Sequence, residues 1–256
     1  HSTTASAFPL QNEPTYTDDT VMTAAVCEAI RLNPAPISPI ELNRRAKEYS
    51  AQYKRFFSLY SNAGFGQMFA EWACSAALYR QRSYGNGAAM RVVPIGYAYD
   101  TLEQTLLQAK ASCLYTHNNK EAIAGAQAVA AAVWLSRSGK TKDEIKAYLE
   151  VNFRYDLSKS IDEIRESYAF EVRAGKSVPQ AISAFLQSED YESAVRNAVS
   201  LGGDADTMAC IAGGIAEAFY GEIPRHIKDF CGLKTDGTIK KTINSFNDRL
   251  PTEDRK

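Results

Sequence analysis

The stretch Gly202-Gly203-Asp204-Ala205-Asp206-Thr207, followed at once by the small-residue run Met208 to Gly214, limits this chain more than any other segment. Paired glycines admit backbone turns that other residues resist, and a run of Ala, Gly and Ile reads as a helix buried among neighbours. The pattern is therefore a tight turn feeding a buried helix, with two carboxylates gathered at the helix start. A distant segment, Thr17-Asp18-Asp19-Thr20, has the same form and opens the apolar helix Val21 to Ile30. Each cluster alone is what a helix start favours, since Asp and Thr cap free N–H groups and acids offset the macrodipole. Together they offer four carboxylates and flanking hydroxyls, the oxygen donors that Mg²⁺-like cations take. Spacing in the sequence does not by itself bring the two clusters together.

Composition excludes several classes. With 45% apolar and 23% charged residues the chain is neither disordered nor fibrous, and its 256 residues are enough for an extensive core. Lys and Arg number 29 against 30 Asp and Glu, without a basic stripe, so a nucleic-acid partner is not indicated. No uncharged apolar stretch reaches the roughly 18 residues of a membrane span. The longest apolar run, Ala122 to Leu135, reads as a core helix. The five cysteines, at positions 27, 74, 113, 210 and 231, are scattered and fit small buried hydrophobes of a reducing compartment, which places the chain in the cytoplasm.

Taken in order, residues 1–16 read as an extended lead-in, with His1–Ala7 resembling an added or cut-back start; residues 17–250 read as one domain and 251–256 as a frayed tail. Helices are predicted from Thr17 to Leu32, Ile40 to Tyr60, Gln67 to Arg80, Thr101 to Cys113, Lys120 to Arg137 and Thr141 to Phe153. A charged helix is predicted within Asp156 to Arg173, then helices at Val178 to Leu186, starting at Pro179, and Tyr191 to Leu201. The central helix runs to Tyr220 and stops at Gly221, and Pro224 to Phe230 and Thr238 to Arg249 complete the set. Sustained period-2 alternation of β-branched residues is absent, so the fold class is all-α. The segment Ser83-Tyr84-Gly85-Asn86-Gly87, with Met90, Arg91 and Pro94 after it, differs in kind. Its Asn-Gly pair allows a hairpin turn, but the flanks do not alternate, and a Gly-rich loop leading into a helix start suits a phosphate or diphosphate. His117, in the loop Tyr115 to Asn119, carries no assignment from its type and position alone.

Four pieces now stand in order: Thr17-Asp18-Asp19-Thr20, Ser83 to Gly87 with Met90, Arg91 and Pro94, Thr116-His117, and Gly202 to Thr207. Together they resemble the ADP-ribosylglycohydrolase family, over about residues 8–250. The resemblance implies an all-α orthogonal helix bundle around a central cleft with two Mg²⁺ or Mn²⁺ ions. It matches Thr17, Asp18, Asp19, Asp204, Asp206 and Thr207 to the metal-binding positions. Ser83, Tyr84, Gly85, Asn86, Gly87, Met90 and Arg91 match the segment holding the diphosphate of ADP-ribose, with Tyr84 placed to stack on adenine or ribose and His117 near the ligand. Phe65, between two glycines, is a looser match to the same cleft. The implied substrate is an ADP-ribosylated protein, arginine-linked most of all, or ADP-ribose itself.

Two departures qualify the resemblance. The Gly-Asp-x-x-Gly segment and the glutamate after it, common in the family, have no counterpart here, and Ala205 stands where Thr is frequent. The implied activity is hydrolysis of the ribosyl bond, with Asp18 or Asp19 as base. The competing expectations are a non-catalytic ADP-ribose-binding or immunity relative, favoured by the missing segment, and a metal-dependent nucleotide phosphohydrolase.

Overall fold

The run Ala122 to Leu135 forms the middle of a long helix, Lys120–Arg137, capped by the Asn119 side chain, which accepts from the Glu121 N–H at 2.9 Å. The rest of the chain is laid around it. The structure is a computed structural model that describes residues 15–250, so most of the expected lead-in and the expected tail lie outside the described residues. Among the described residues there are thirteen α-helices and no strand, only two isolated bridges, as the all-α reading expects. In chain order they are α1 (Asp18–Leu32), α2 (Leu42–Leu59), α3 (Gln67–Cys74), α4 (Val93–Ala98), α5 (Leu102–Cys113), α6 (Lys120–Arg137), α7 (Lys142–Phe153), α8 (Ile161–Ser167), α9 (Ala174–Leu186), α10 (Tyr191–Ser200), α11 (Ala205–Tyr220), α12 (Arg225–Lys234) and α13 (Gly237–Asn247). None of these is long and apolar enough to cross a membrane.

Helix α6 is rich in Ala and touches α4, α5, α7, α9 and α11, because small side chains let backbones come close. Two contacts admit no side chain at all. A Cβ on Gly96 of α4 would lie 2.5 Å from the Val133 side chain of α6, and one on Gly214 of α11 would lie 2.3 Å from Val93 Cγ2 of α4. These approaches seat α11 against α4, and α4 against α6. Helix α1 packs on α2, α4, α11 and α13, so the two acid-bearing helices share the core and their starts open on one cleft.

Fully buried Arg45 ties α2 to its neighbours. Its guanidinium donates to Gln108 Oε1 at 2.8 Å, Glu48 Oε2 at 2.8 Å, the Ala29 carbonyl at 3.3 Å and the Tyr99 hydroxyl at 3.1 Å. It also lies 4.5 Å from the Tyr49 ring centroid. A buried guanidinium is tolerated only with its donors satisfied, and here α1, α2 and α5 all contribute acceptors.

The boundaries depart from expectation at several helices, among them α12, which runs on to Lys234 and not to Phe230. Helix α3 ends at Cys74, not at Arg80. Helix α9 begins at Ala174, which leaves Pro179 inside it. The helix predicted within 156–173 exists only as α8, and residues 168–173 run as non-helical chain. The cysteines form no disulfide, although Cys74 and Cys231 are exposed and not buried.

Replacing Arg45 by Met should lower the unfolding free energy by about 3–5 kcal/mol, because several buried acceptors lose their donor at once. Arg44→Ala, which breaks only the exposed pairs with Glu41 and Glu48, should cost less than about 1 kcal/mol. Urea denaturation of both variants measures the contrast, and equal losses would show that the buried network is not what holds α2.

Candidate active site

Two helix starts and two loops build the cleft, which encloses about 450 Å³. Asp18, Asp19, Asp204, Asp206 and Thr207 line it together, so the two acidic clusters do meet. Thr17 takes the N-cap position of α1, but its hydroxyl donates to Asp19 Oδ2 at 3.0 Å in place of capping the helix. The Asp18 N–H bonds the Ala63 carbonyl at 2.7 Å, which fixes the start of α1 against the turn before α3. Asp206 is exposed to the cleft, whereas Asp19 is only 5% exposed. The other oxygen of Asp19, Oδ1, is buried without a hydrogen-bond partner.

Across the cleft, residues 86–88 form a single 3-10 turn and not a hairpin. Asn86 anchors this loop to the acidic turn, its Nδ2 donating to Asp204 Oδ2 at 2.7 Å. Ser83, Asn86, Gly87, Met90 and Arg91 all line the cleft. Gly87 has a packing reason to be glycine, since a Cβ there would sit 3.3 Å from His117 Nε2. His117 is buried and lines the cleft, with Nδ1 at 2.8 Å from the Thr116 hydroxyl. That hydroxyl accepts from Arg91 at 2.7 Å and has a proton to give to Nδ1, the arrangement in which Nε2 carries the N–H toward the loop. Burial first, and the Arg91 charge second, hold the imidazole well below its usual pKa, so it is neutral at neutral pH. Arg91 itself lies beneath the loop, with its guanidinium 4.0 Å from the Tyr53 ring centroid.

Thr17, Tyr84 and Gly85 are the assigned residues that do not line the cleft, Thr17 reaching it only through its bond to Asp19. The Tyr84 ring is 52% exposed and lies under the Arg173 guanidinium, 5.6 Å from its centroid. Sequence reasoning missed Phe170 and Val172, which do line the cleft. Tyr168, Phe170 and Val172 alternate with Ala169, Glu171 and Arg173, and that period of two was the available signal. Phe65 takes its place in the lining as the looser match expected.

The electrostatics of the cleft are those of crowded acids. Asp18 is pushed up to about 7, by burial first and then by Asp19, Asp206 and Asp204. Burial and the Asp206 charge raise Asp19 to about 6, and burial raises Asp204. Among the described residues no three His, Cys, Asp or Glu side chains stand close enough to hold a metal ion as placed. Asp19 turns to Thr17 and Asp204 to Asn86, so each carboxylate is directed at its own neighbour. The chemistry of the set is nonetheless that of a hard dication, with oxygen donors only, an excess of negative charge and the orphaned Asp19 Oδ1.

The family model described as ADP-ribosylglycohydrolase matches residues 3–256. The chain belongs to the ADP-ribosylglycohydrolase family. It is, accordingly, an enzyme that hydrolyses glycosyl bonds to ADP-ribose. It is similar to "ADP-ribosylhydrolase ARH3" of Homo sapiens, 28% identical over 273 residues, covering 84% of this chain and 74% of that protein. The Gallus gallus protein of the same name is 29% identical over 260 residues, covering 81% and 70%. "ADP-ribosylarginine hydrolase Tri1" of Pseudomonas putida (strain GB-1) is 29% identical over 154 residues, 56% of this chain and 40% of that protein. A solved structure, "ADP-ribosylglycohydrolase-related protein complex", shares the fold with a TM-score of 0.67 at 24% identity, covering 93% of this chain and 82% of that one.

The raised pKa of Asp18 fixes the sign of a pH effect. Its neutral form is favoured in the folded state, so this contribution to stability is present at low pH and is lost as pH rises through about 7. In chelator, Asp18→Asn should therefore be more stable than the parent at about pH 8, with the gain shrinking toward about pH 4. Thermal melts across that range read the difference, and a destabilised variant at high pH would refute the crowding.

Proposed function

We propose that this ADP-ribosylglycohydrolase removes ADP-ribose from a modified protein side chain, arginine most of all, with the help of two divalent cations, Mg²⁺ or Mn²⁺. The observation that carries the reading is the meeting of Asp18, Asp19, Asp204, Asp206 and Thr207 in one cleft with the 83–87 loop and His117 opposite. Thr17, Asp18, Asp19, Asp204, Asp206 and Thr207 would hold the cations. Bound there, they would neutralise the crowded acids, engage ribose hydroxyls and make a water more acidic.

The chain's own groups supply the rest. Ser83, Asn86 and Gly87 line the cleft where a diphosphate would lie, and the neutral His117 ring stands beside them. Holding the ADP portion positions the ribosyl C1 against the carboxylates. As the bond from C1 to the acceptor nitrogen breaks, positive charge develops on the ribose and the Asp side chains stabilise it. Water oxygen forms the new bond to C1, Asp18 or Asp19 takes the proton the water loses, and that proton is passed on to the acceptor nitrogen as it leaves. The arginine preference is supported by the likeness to the ADP-ribosylarginine hydrolase of Pseudomonas putida.

The test is release of ADP-ribose from an arginine-modified protein and from a hydroxyl-linked one, in Mg²⁺, in Mn²⁺ and in EDTA. Release from the arginine substrate should need the cation and fall at least about a hundredfold in Asp206→Ala. Undiminished release in EDTA would remove the cation from the proposal, and preference for the hydroxyl linkage would remove arginine. Tight binding of free ADP-ribose without any release would favour the non-catalytic reading.

A further inference from the structure

The non-helical residues 168–173, between α8 and α9, touch both halves of the cleft. At one end the segment is bound to the 83–87 loop. The Asn86 N–H donates to the Val172 carbonyl at 2.8 Å and the Ala174 N–H to the Tyr84 carbonyl at 2.9 Å, on either side of a Gly85–Arg173 bridge. The Arg173 guanidinium lies over the Tyr84 ring and pairs with Glu121 of α6, so this end is tied to the core helix as well. At the other end Tyr168 and Ala169 pack on the acidic turn. Gly203 has φ +70°, and a Cβ there would lie 2.7 Å from Tyr168 Cε1 and 3.4 Å from the Ala169 carbonyl. The Tyr168 hydroxyl is buried without a partner, so it is the ring, not the hydroxyl, that engages the turn. Between the two ends, Phe170 and Val172 face the cleft.

We infer that residues 168–173 are a strap that sets the spacing between the loop and the acidic turn. Tyr168 is the positioning residue for the turn that carries Asp204 and Asp206, and Arg173 the positioning residue for the loop. The inference rests on the reading of the cleft proposed above, in which the turn serves the chemistry and the loop serves binding. It explains why an exposed, non-helical segment is fastened at both ends. It also explains why Gly203 tolerates no side chain although it lies at the surface. Without the strap, the Asn86–Asp204 hydrogen bond, which a rotating side chain can break, would hold the turn to the loop, with Thr207 and Cys210 fastened further on to Met90.

The strap makes the two ends separable in kinetics. In the full chain, Tyr168→Ala should lower kcat about tenfold or more with KM and the affinity for free ADP-ribose within about threefold of the parent. Tyr168→Phe, which keeps the ring, should restore the parent kcat. Arg173→Ala should do the reverse, raising KM and weakening free ADP-ribose about fivefold while kcat stays within about twofold. If Phe is as impaired as Ala, or if the two alanine variants lose kcat and KM in the same proportion, the strap is overturned. A measurement without turnover separates this from a failure of the proposed function. Gly203→Ala should lower the melting temperature, and less so in a Tyr168→Ala background, because the new Cβ then has no ring to meet. Additive losses in that cycle would overturn the strap even in a protein that releases no ADP-ribose. Coupled losses, with the calorimetric affinities as stated, would uphold it in either case.

Discussion

Mutual repulsion among Asp18, Asp19, Asp204 and Asp206 is confined to one place, where α1 and α11 begin. A helix start offers partial positive charge and free N–H groups, worth roughly 0.3–1 kcal/mol to an exposed acid. That is too little here. Asp18 still rises to about 7 because burial and its acidic neighbours act together, and Asp19 keeps one oxygen buried without a partner. The cluster is thus a standing cost in the folded chain, and chains do not keep such groups for stability. Nearby structure limits the cost without removing it. Thr17 bonds Asp19, Asn86 bonds Asp204, and Asp206 stays exposed in the cleft.

Most of the helical frame was legible because its signals are local. Asn119, Thr101 and Thr141 sit one residue before helices and do cap them. Gly221 ends α11 at φ +75°, as a left-handed C-terminal glycine should. The acidic clusters were legible as helix starts for the same reason. Their meeting was not, because it depends on Gly214 against Val93 and Gly96 against Val133. Such contacts leave only an absence, the missing Cβ, in the sequence.

What misled the reading was short segments whose structure is set from outside. Residues 156–173 carry enough charge to suggest a helix, yet only Ile161–Ser167 form one, under a Ser160–Glu163 capping box. After it the chain leaves the helix, and its last residues, Val172 to Ala174, pair with residues 84–86. A two-residue period over six positions is weak evidence in a chain this rich in helix, and tertiary pairing decides it. Tyr84 is the converse case. The resemblance suggested a stacking partner for the ligand, and the structure places the Arg173 guanidinium over one face of a ring that is 52% exposed. Which face of an exposed aromatic is free depends on a residue 89 positions away, and no local rule reaches that far.

The paired glycines of the acidic turn show how one dipeptide can carry two unrelated constraints. Gly202 and Gly203 both hold φ near +70°, so both resist side chains on backbone grounds, by about 1 kcal/mol each. Only Gly203 is also closed by packing, since a Cβ on Gly202 would meet nothing within 4 Å. The first glycine therefore turns the chain, and the second also receives the Tyr168 ring. A residue that tolerates left-handed backbone, such as Asn, satisfies the first requirement and not the second. The difference lies in Tyr168, and the direction in which α11 launches its carboxylates depends on a segment that begins 35 residues earlier in the chain.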